Sequence, residues 1–280
     1  MTLSQIVTDD RAMPQVAPPC PPQRIVSLVP SDTFNVVQLG ARARLVGRTR
    51  YCVEPPDLAD IPIVGGTKAV HVDKVMALAP DLVLANQEEN AREDITRLQQ
   101  AGVAVELMFP RTVDAGFRSL AQLAAAIGAE HASQATALLE RAELARWALP
   151  TAPASACAPR CFVAIWRKPW MTANNDTYIG DVLRVLGFRN VFGDRPSFDP
   201  ADGHDVRYPI VQWEEVEQAR PDVVLLPDEP YPFADRHAAQ LGERLGASAV
   251  RCISGRDLCW PGAWAFEGLM RLRDVLRHER

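Results

Sequence analysis

Two doubly wound parallel-sheet lobes of α/β type, joined by one long α-helix with a ligand cleft between the lobes, are what this chain predicts. Three observations carry that expectation. Short β-rich runs alternate with helical stretches along nearly the whole length, the order that builds parallel sheets with helices on both faces. That order is run through twice with matching residues: Asp32-Thr33 … Leu39-Gly40 echoes Asp176-Thr177 … Leu186-Gly187, and ALAPDLVL (77–84) echoes EQARPDVVL (217–225). Between the two passes lies Ala129–Leu149, AEHASQATALLERAELARWAL, with no Gly or Pro and bounded by Gly128 and Pro150. At the helical rise such a stretch spans roughly 30 Å, which suits a strut between two halves.

In the first half, Arg24–Val29 reads as a strand ending at Pro30. Ser31, Asp32 and Thr33 then offer a helix N-cap before Phe34–Leu39, and Gly40 stops that helix. Leu45-Val46-Gly47 is a second short strand. Val72–Ala79 is helical, Pro80-Asp81 breaks it, and Leu82–Ala85 has the apolar run of a buried strand. Helix Ala91–Gln100, strand Val103–Met108 and helix Val113–Ile127 lead into the strut. In the second half, Phe162–Trp166 is a strand and Asp176-Thr177 caps helix Tyr178–Leu186. A short extended Asn190-Val191-Phe192 follows, then helix Trp213–Ala219, strand Val223–Leu226, helix Asp235–Leu245, strand Ala249–Ile253 and helix Trp264–His278. The expected domain limits are a disordered proline-rich tail over 1–23, an N-terminal lobe over 24–112, connecting helices over 113–149 and a C-terminal lobe over 150–280.

At 280 residues and 48% hydrophobic content the chain has ample material for two cores. A net charge of −5 argues against a nucleic-acid or anionic-membrane surface. No apolar run approaches the ~18 residues of a membrane span. The first 23 residues carry Asp9, Asp10 and five prolines, with no basic start followed by an apolar block, so the sequence as given reads as cytoplasmic. Cys20, Cys52, Cys157, Cys161, Cys252 and Cys259 form no C-x-x-C pair, and free thiols are the expectation.

In open parallel sheets, ligands bind outside the carboxyl ends of the strands. Tyr51, Trp166, Trp170, Tyr231, Phe233 and Trp260 all lie at such ends, and aromatic faces there suit a flat, largely apolar ligand. The alternative is that the rings pad the lobe cores. Gly65-Gly66-Thr67-Lys68 ends another segment of this kind, and Lys68 with Arg167 and Lys168 would meet an anionic rim or stand as solvated loop charge. Glu88 and Glu89 follow LVLA, and Asp228 and Glu229 follow VVLL. That symmetric placement suits a partner with two arginine patches, a cation in the cleft, or plain loop solvation. No G-x-G-x-x-G, P-loop or G-x-S-x-G occurs, and His71, His131, His204, His237 and His278 are scattered. No catalytic residue and no protein metal site is expected.

The segments RIVSLVPSDT, LVGRTRYCVEPP, IPIVGGT, VMALAPDLVLA and DTYIGDVLRVLGFRNVF, in this order, resemble the helical-backbone substrate-binding proteins of ABC importers. This is the family of vitamin B12, ferric-siderophore and haem receptors, and the resemblance runs from Arg24 to about Arg273. It implies a non-catalytic receptor with no cofactor of its own, a corrinoid (cobalamin-like) or iron chelate as ligand, an ABC permease dimer as partner, a monomeric state and a periplasmic location. Tyr51 matches a cleft aromatic of the vitamin B12 receptors, and Trp166 matches the aromatic that ends the first strand of their second lobe. Together with the strand-end reading, the expected ligand set is Tyr51, Thr67, Lys68, Trp166, Arg167, Trp170, Tyr231 and Trp260. The loops carrying Glu88, Glu89, Asp228 and Glu229 lie where the family presents acids to permease arginines. Two departures stand out: Phe34 occupies a position where the family often has Glu, and no lipobox surrounds Cys20. The rival readings are a cytoplasmic carrier or sensor of the same ligand, and a metallocluster enzyme on a similar scaffold using Cys52 and Cys259.

Overall fold

A computed structural model describes residues 20–152, 155–245 and 249–277. Residues 1–19 of the expected tail, and His278, lie outside them. The first pass of the chain gives β1 (Ile25–Ser27), α1 (Pro30–Gln38), β2 (Leu45–Arg48), α2 (Val72–Ala77), β3 (Leu82–Asn86), α3 (Arg92–Gln100) and β4 (Ala104–Met108). Then come α4 (Val113–Ala126) and α5 (Ser133–Trp147). The second pass gives β5 (Arg160–Val163), α6 (Tyr178–Val185), β6 (Arg189–Asn190), α7 (Trp213–Ala219), β7 (Val223–Pro227), α8 (Asp235–Leu245), β8 (Ala249–Ile253), α9 (Gly255–Cys259) and α10 (Ala265–Arg277).

The two passes fold into two sheets of the same topology. The first runs β2-β1-β3-β4 and the second β6-β5-β7-β8, with every strand pair parallel. Strand residues alternate between faces. In the first unit Val26, Val83, Ala85 and Val105 share a core with Val72 and Val75 of α2 and Ile95 and Leu98 of α3. In the second, Phe162, Val224 and Leu226 share one with Trp213 and Val216 of α7 and Leu241 of α8. Burying such sets contributes about 1.5–3 kcal/mol for each large side chain. The echo in sequence is an echo in backbone too. Before Pro80 and Pro221, Ala79 and Arg220 both adopt left-handed conformations, at φ 42° and 43°.

Two helix boundaries depart from expectation. Helix α1 starts at Pro30, not Phe34, because proline's fixed φ suits the first helical position and Val29 supplies the extended cap residue. Ser31, Asp32 and Thr33 therefore fall inside the first turn instead of capping it. Thr177 does cap α6, accepting from the Gly180 N–H at 3.0 Å.

The strut also differs. Gly128, at φ 59°, ends α4, and the chain turns through 129–132 before α5 begins at Ser133. Among the described residues, those up to Phe109 with 124–131 form the first compact unit, and 110–123 with those from Ala132 onward the second. Helix α5 thus falls wholly in the second unit, while α4 is the helix whose residues divide between the two. Ala135 and Ala142 of α5 are buried and Leu138, Leu139 and Ala145 half-buried, while Leu144 and Trp147 are exposed, so the helix is covered along one side only.

Candidate functional site

In the first unit, the loops that leave β1, β2 and β3 are held together by buried polar groups. Asn90 is the centre of this brace. Its side-chain amide donates to the carbonyl oxygens of Leu28 (3.3 Å) and Thr67 (3.0 Å), and its oxygen accepts from the Asn86 N–H at 2.8 Å. Asn86 in turn accepts from the Glu88 N–H at 2.8 Å, which shapes the loop carrying Glu88 and Glu89. Lys68 Nζ donates to the Glu88 carbonyl at 2.5 Å. Thr67 is half-buried and Lys68 exposed, so both stand at the rim of this loop cluster. Asn90 was not singled out in sequence; an Asn closing an acidic loop after a buried strand was the available signal.

Tyr51 is 56% exposed beyond β2, and its ring lies against Gly66. A Cβ at Gly66 would sit 3.3 Å from Tyr51 Cε2, so a residue without a side chain lets the ring settle there. Behind it, Cys52 is fully buried, with its Sγ 3.1 Å from Thr49 Oγ1. Burial pushes that thiol up, the opposite of what a ligating thiolate needs. The Cys52 leg of the metallocluster reading therefore lacks both exposure and ionisation. Asp32, in the first turn of α1, is buried to 4% exposure. Desolvation raises its carboxyl to about 7, offset in part by a hydrogen bond with the Asn35 side chain and reinforced by the Glu106 charge.

The second unit concentrates its rings. Trp166, 41% exposed after β5, meets Tyr231 edge-on at 5.5 Å. Tyr231 leans on Phe233 at 4.6 Å, Phe233 stacks with Trp170 at 6.1 Å and 5°, and Trp170 tilts onto Trp213 at 5.0 Å. The result is a ladder from an exposed indole down into the core, each step in a geometry aromatic pairs favour. Arg167 lies 5.5 Å from the centroid of Trp170 and donates to Gln240 Oε1 at 3.3 Å. His237 is buried beside Tyr231 and Phe233, and its Nδ1 accepts from the Ala234 N–H at 3.0 Å. Desolvation, with the nearby Arg236 and Arg167 charges, lowers its pKa and keeps the ring neutral.

Of the six aromatics expected to face a ligand, Tyr51 and Trp166 are exposed and Trp170 and Tyr231 half-buried. Phe233 and Trp260 are buried, the latter at 6% exposure with its ring edge-on to Trp264 at 5.1 Å. Phe233 packs among Trp170, Tyr231 and His237, and Trp260 against Trp264.

The acids differ among themselves. Glu88, Glu89 and Glu229 are half-buried and Asp228 exposed. Asp228 Oδ1 accepts from the Gly255 N–H at 2.7 Å, and Glu229 lies 3.9 Å from Arg256. Burial pushes the Glu229 carboxyl up. Elsewhere in the second unit, Arg207 is buried and forks onto Asp205 at 3.0 and 2.6 Å, while Arg111 pairs with Asp176 at 2.7 Å. Neither pair was singled out in sequence. Among the described residues one group of potential metal ligands assembles, Asp199, Asp202 and His204, on a largely exposed loop. It contains no cysteine, and hydrogen bonding to Asp202 raises His204's pKa, which favours the proton over a metal.

A family model described as "Periplasmic binding protein" matches residues 25–243. The chain belongs to that family. A vitamin B12-binding protein of Pectobacterium carotovorum is 24% identical over 213 residues, covering 76% of this chain and 74% of the relative. The periplasmic vitamin B12 binding protein BtuF of Vibrio cholerae superposes with a TM-score of 0.77 at 22% identity, over 92% of this chain and 98% of that one. The periplasmic haem binding protein HutB of Vibrio cholerae gives 0.69 at 19% identity, over 91% and 99%. At these identities the structural likenesses establish the fold, two parallel-sheet lobes of the periplasmic binding protein type. No helix among the described residues is long and apolar enough to cross a membrane.

Proposed function

We propose that this chain is the substrate-binding component of an ABC-type importer and that it captures a corrinoid of the cobalamin class without converting it. One observation carries the choice of ligand: curated relatives matched over about three quarters of both chains are vitamin B12-binding proteins. Each unit supports it by itself: in the second, Trp166 at the head of the aromatic ladder offers an exposed flat face beside Arg167, and in the first, Tyr51 offers another, with Thr67 and Lys68 as polar groups at the rim of the same unit's loops. In this reading Tyr231 holds Trp166 in place, Trp170 backs the ladder through Phe233, and Trp260 contributes packing. Glu88, Glu89, Asp228 and Glu229 are the acids offered to arginines of the permease.

Titration of the purified protein with cyanocobalamin, followed by tryptophan fluorescence, tests the ligand. Saturable quenching with a dissociation constant in the micromolar range or below is expected. An unchanged signal with cyanocobalamin, beside saturable binding of haemin or a ferric siderophore, would move the assignment to an iron chelate. That second reading draws on the likeness to the haem binding protein, and Tyr51 supplies the exposed phenol an iron centre could take.

A further inference from the structure

The aromatic surfaces do not explain the first turn of α1. This nine-residue helix leaves the carboxyl end of β1, the end where parallel sheets receive ligands. Its first-turn residues Ser31 and Asp32 are 2% and 4% exposed. Yet Ser31 Oγ and Asp32 Oδ2 have no hydrogen-bond partner. The neighbouring polar groups are served: Thr33 Oγ1 bonds to Ser27 Oγ (2.8 Å) and to the Val29 carbonyl (2.9 Å), and the Asn35 side chain bonds to Asp32. Buried polar atoms are nearly always paired, so two adjacent orphans at a ligand-facing strand end call for a partner from outside the chain.

We propose that Ser31 and Asp32 form a subsite for a carboxamide on the rim of the bound ligand. An amide matches the pair atom for atom, its N–H donating to Asp32 Oδ2 and its carbonyl accepting from the Ser31 hydroxyl. A carboxylate in the same place would put its charge against Asp32, with Glu106 adding a second acid nearby. The subsite thus favours a macrocycle edged with amides, as a corrin is, over one edged with carboxylates, as haem is. The inference rests on the corrinoid reading and adds to it the basis of discrimination.

The test compares cyanocobalamin with its monocarboxylic acid derivatives, each of which has one rim amide converted to an acid, and adds haemin. Ser31→Ala and Asp32→Ala should each weaken cyanocobalamin binding about tenfold, the usual effect of one lost hydrogen bond to a buried partner. On the wild-type protein one monocarboxylic derivative should bind at least tenfold more weakly than its parent, and Asp32→Asn should narrow that gap and strengthen haemin binding. This second comparison needs only Asp32→Asn to fold, and circular dichroism checks that it does. Wild-type binding of cyanocobalamin with unchanged affinity in both alanine variants, or equal affinity for all the acid derivatives, overturns the subsite and leaves the corrinoid reading standing. Failure of the wild-type protein to bind any corrinoid removes both.

Discussion

Asp222 Oδ2 accepts the backbone N–H of Arg160 at 2.7 Å, and the Arg160 guanidinium reaches back to the Ala219 carbonyl at 3.1 Å. The first unit repeats the device. Asp81 Oδ2 accepts from the N–H of Arg24 at 3.0 Å, and the Arg24 guanidinium donates to the Leu78 carbonyl at 3.0 Å. In both units a Pro-Asp turn closes a helix, ties its end to the first residue of the central strand's entry, and so sets where that strand begins.

Replacing Asp81 or Asp222 by alanine should therefore destabilise the unit that contains it, by about 1–2 kcal/mol, since the bonds lost are to a charged acceptor but partly exposed. Urea unfolding followed by circular dichroism would read the loss. Equal stability of both variants and the parent would show that the turn holds without its carboxylate.

Asp32 sets a pH dependence. Its folded-state carboxyl, near 7, lies above the ordinary value of 3.8, so the folded state holds a proton that the unfolded chain releases first. Stability from this group is fully present below pH 3.8 and is lost as pH rises through about 7. Asp32→Asn keeps the shape without the ionisation. Its melting temperature relative to the parent should climb between pH 4 and pH 8, by an amount worth a few kcal/mol at most. A pH-independent difference would contradict the burial argument.

Trp166 and Trp260 separate binding from packing. Trp166→Ala removes an exposed ring, so it should leave the melting temperature nearly unchanged and weaken cyanocobalamin binding at least tenfold. Trp260→Ala removes a buried ring and should cost roughly 3–5 kcal/mol of stability. Differential scanning fluorimetry and ligand titration on the two variants give the contrast, and a reversal of the pattern would reassign the ligand face.

Gly255 tests the acidic loop. A Cβ there would lie 2.3 Å from Glu229 Cγ and 2.6 Å from its carbonyl oxygen, so Gly255→Ala must push the loop that carries Asp228 and Glu229. Backbone cannot yield as a flexible side chain does, and overpacking of this kind costs about 1–3 kcal/mol. If the importer role proposed above holds, the variant should also stimulate the importer's ATP hydrolysis less while binding ligand as before. Full stimulation would place the docking contact elsewhere.

The double fold was legible because its signals are local. Pro80-Asp81 and Pro221-Asp222, the runs LVLA and VVLL, and the Thr177 cap each depend on a few adjacent residues. The helix expected over 129–149 starts later, at Ser133, because Gly128 stops α4 while alanines on either side mask the turn at 129–132. Trp260 follows α9 and its ring is buried edge-on to Trp264, a burial that its position in the sequence does not reveal. The unpaired atoms of Ser31 and Asp32 were hidden too, since a serine and an aspartate before a helix read first as caps.

Asn90 is where fold and site meet, and its removal should report on both. One buried side chain serves the Leu28 carbonyl beyond β1, the Thr67 carbonyl beside Lys68 and the Asn86 N–H at the end of β3. Asn90→Ala would strand all three backbone groups, at a cost of about 2–4 kcal/mol. Asn90→Asp keeps the acceptor for Asn86 and loses the two donors, so its cost should fall between the parent and the alanine variant. Because the same bonds hold Thr67 and the Glu88 loop in register, both variants should weaken cyanocobalamin binding in step with their loss of stability. Hydrogen exchange at Asn86 and Glu88 would follow the loosening directly. Unchanged protection there, alongside a loss of affinity, would mean that Asn90 touches the ligand itself instead of bracing the loops around it.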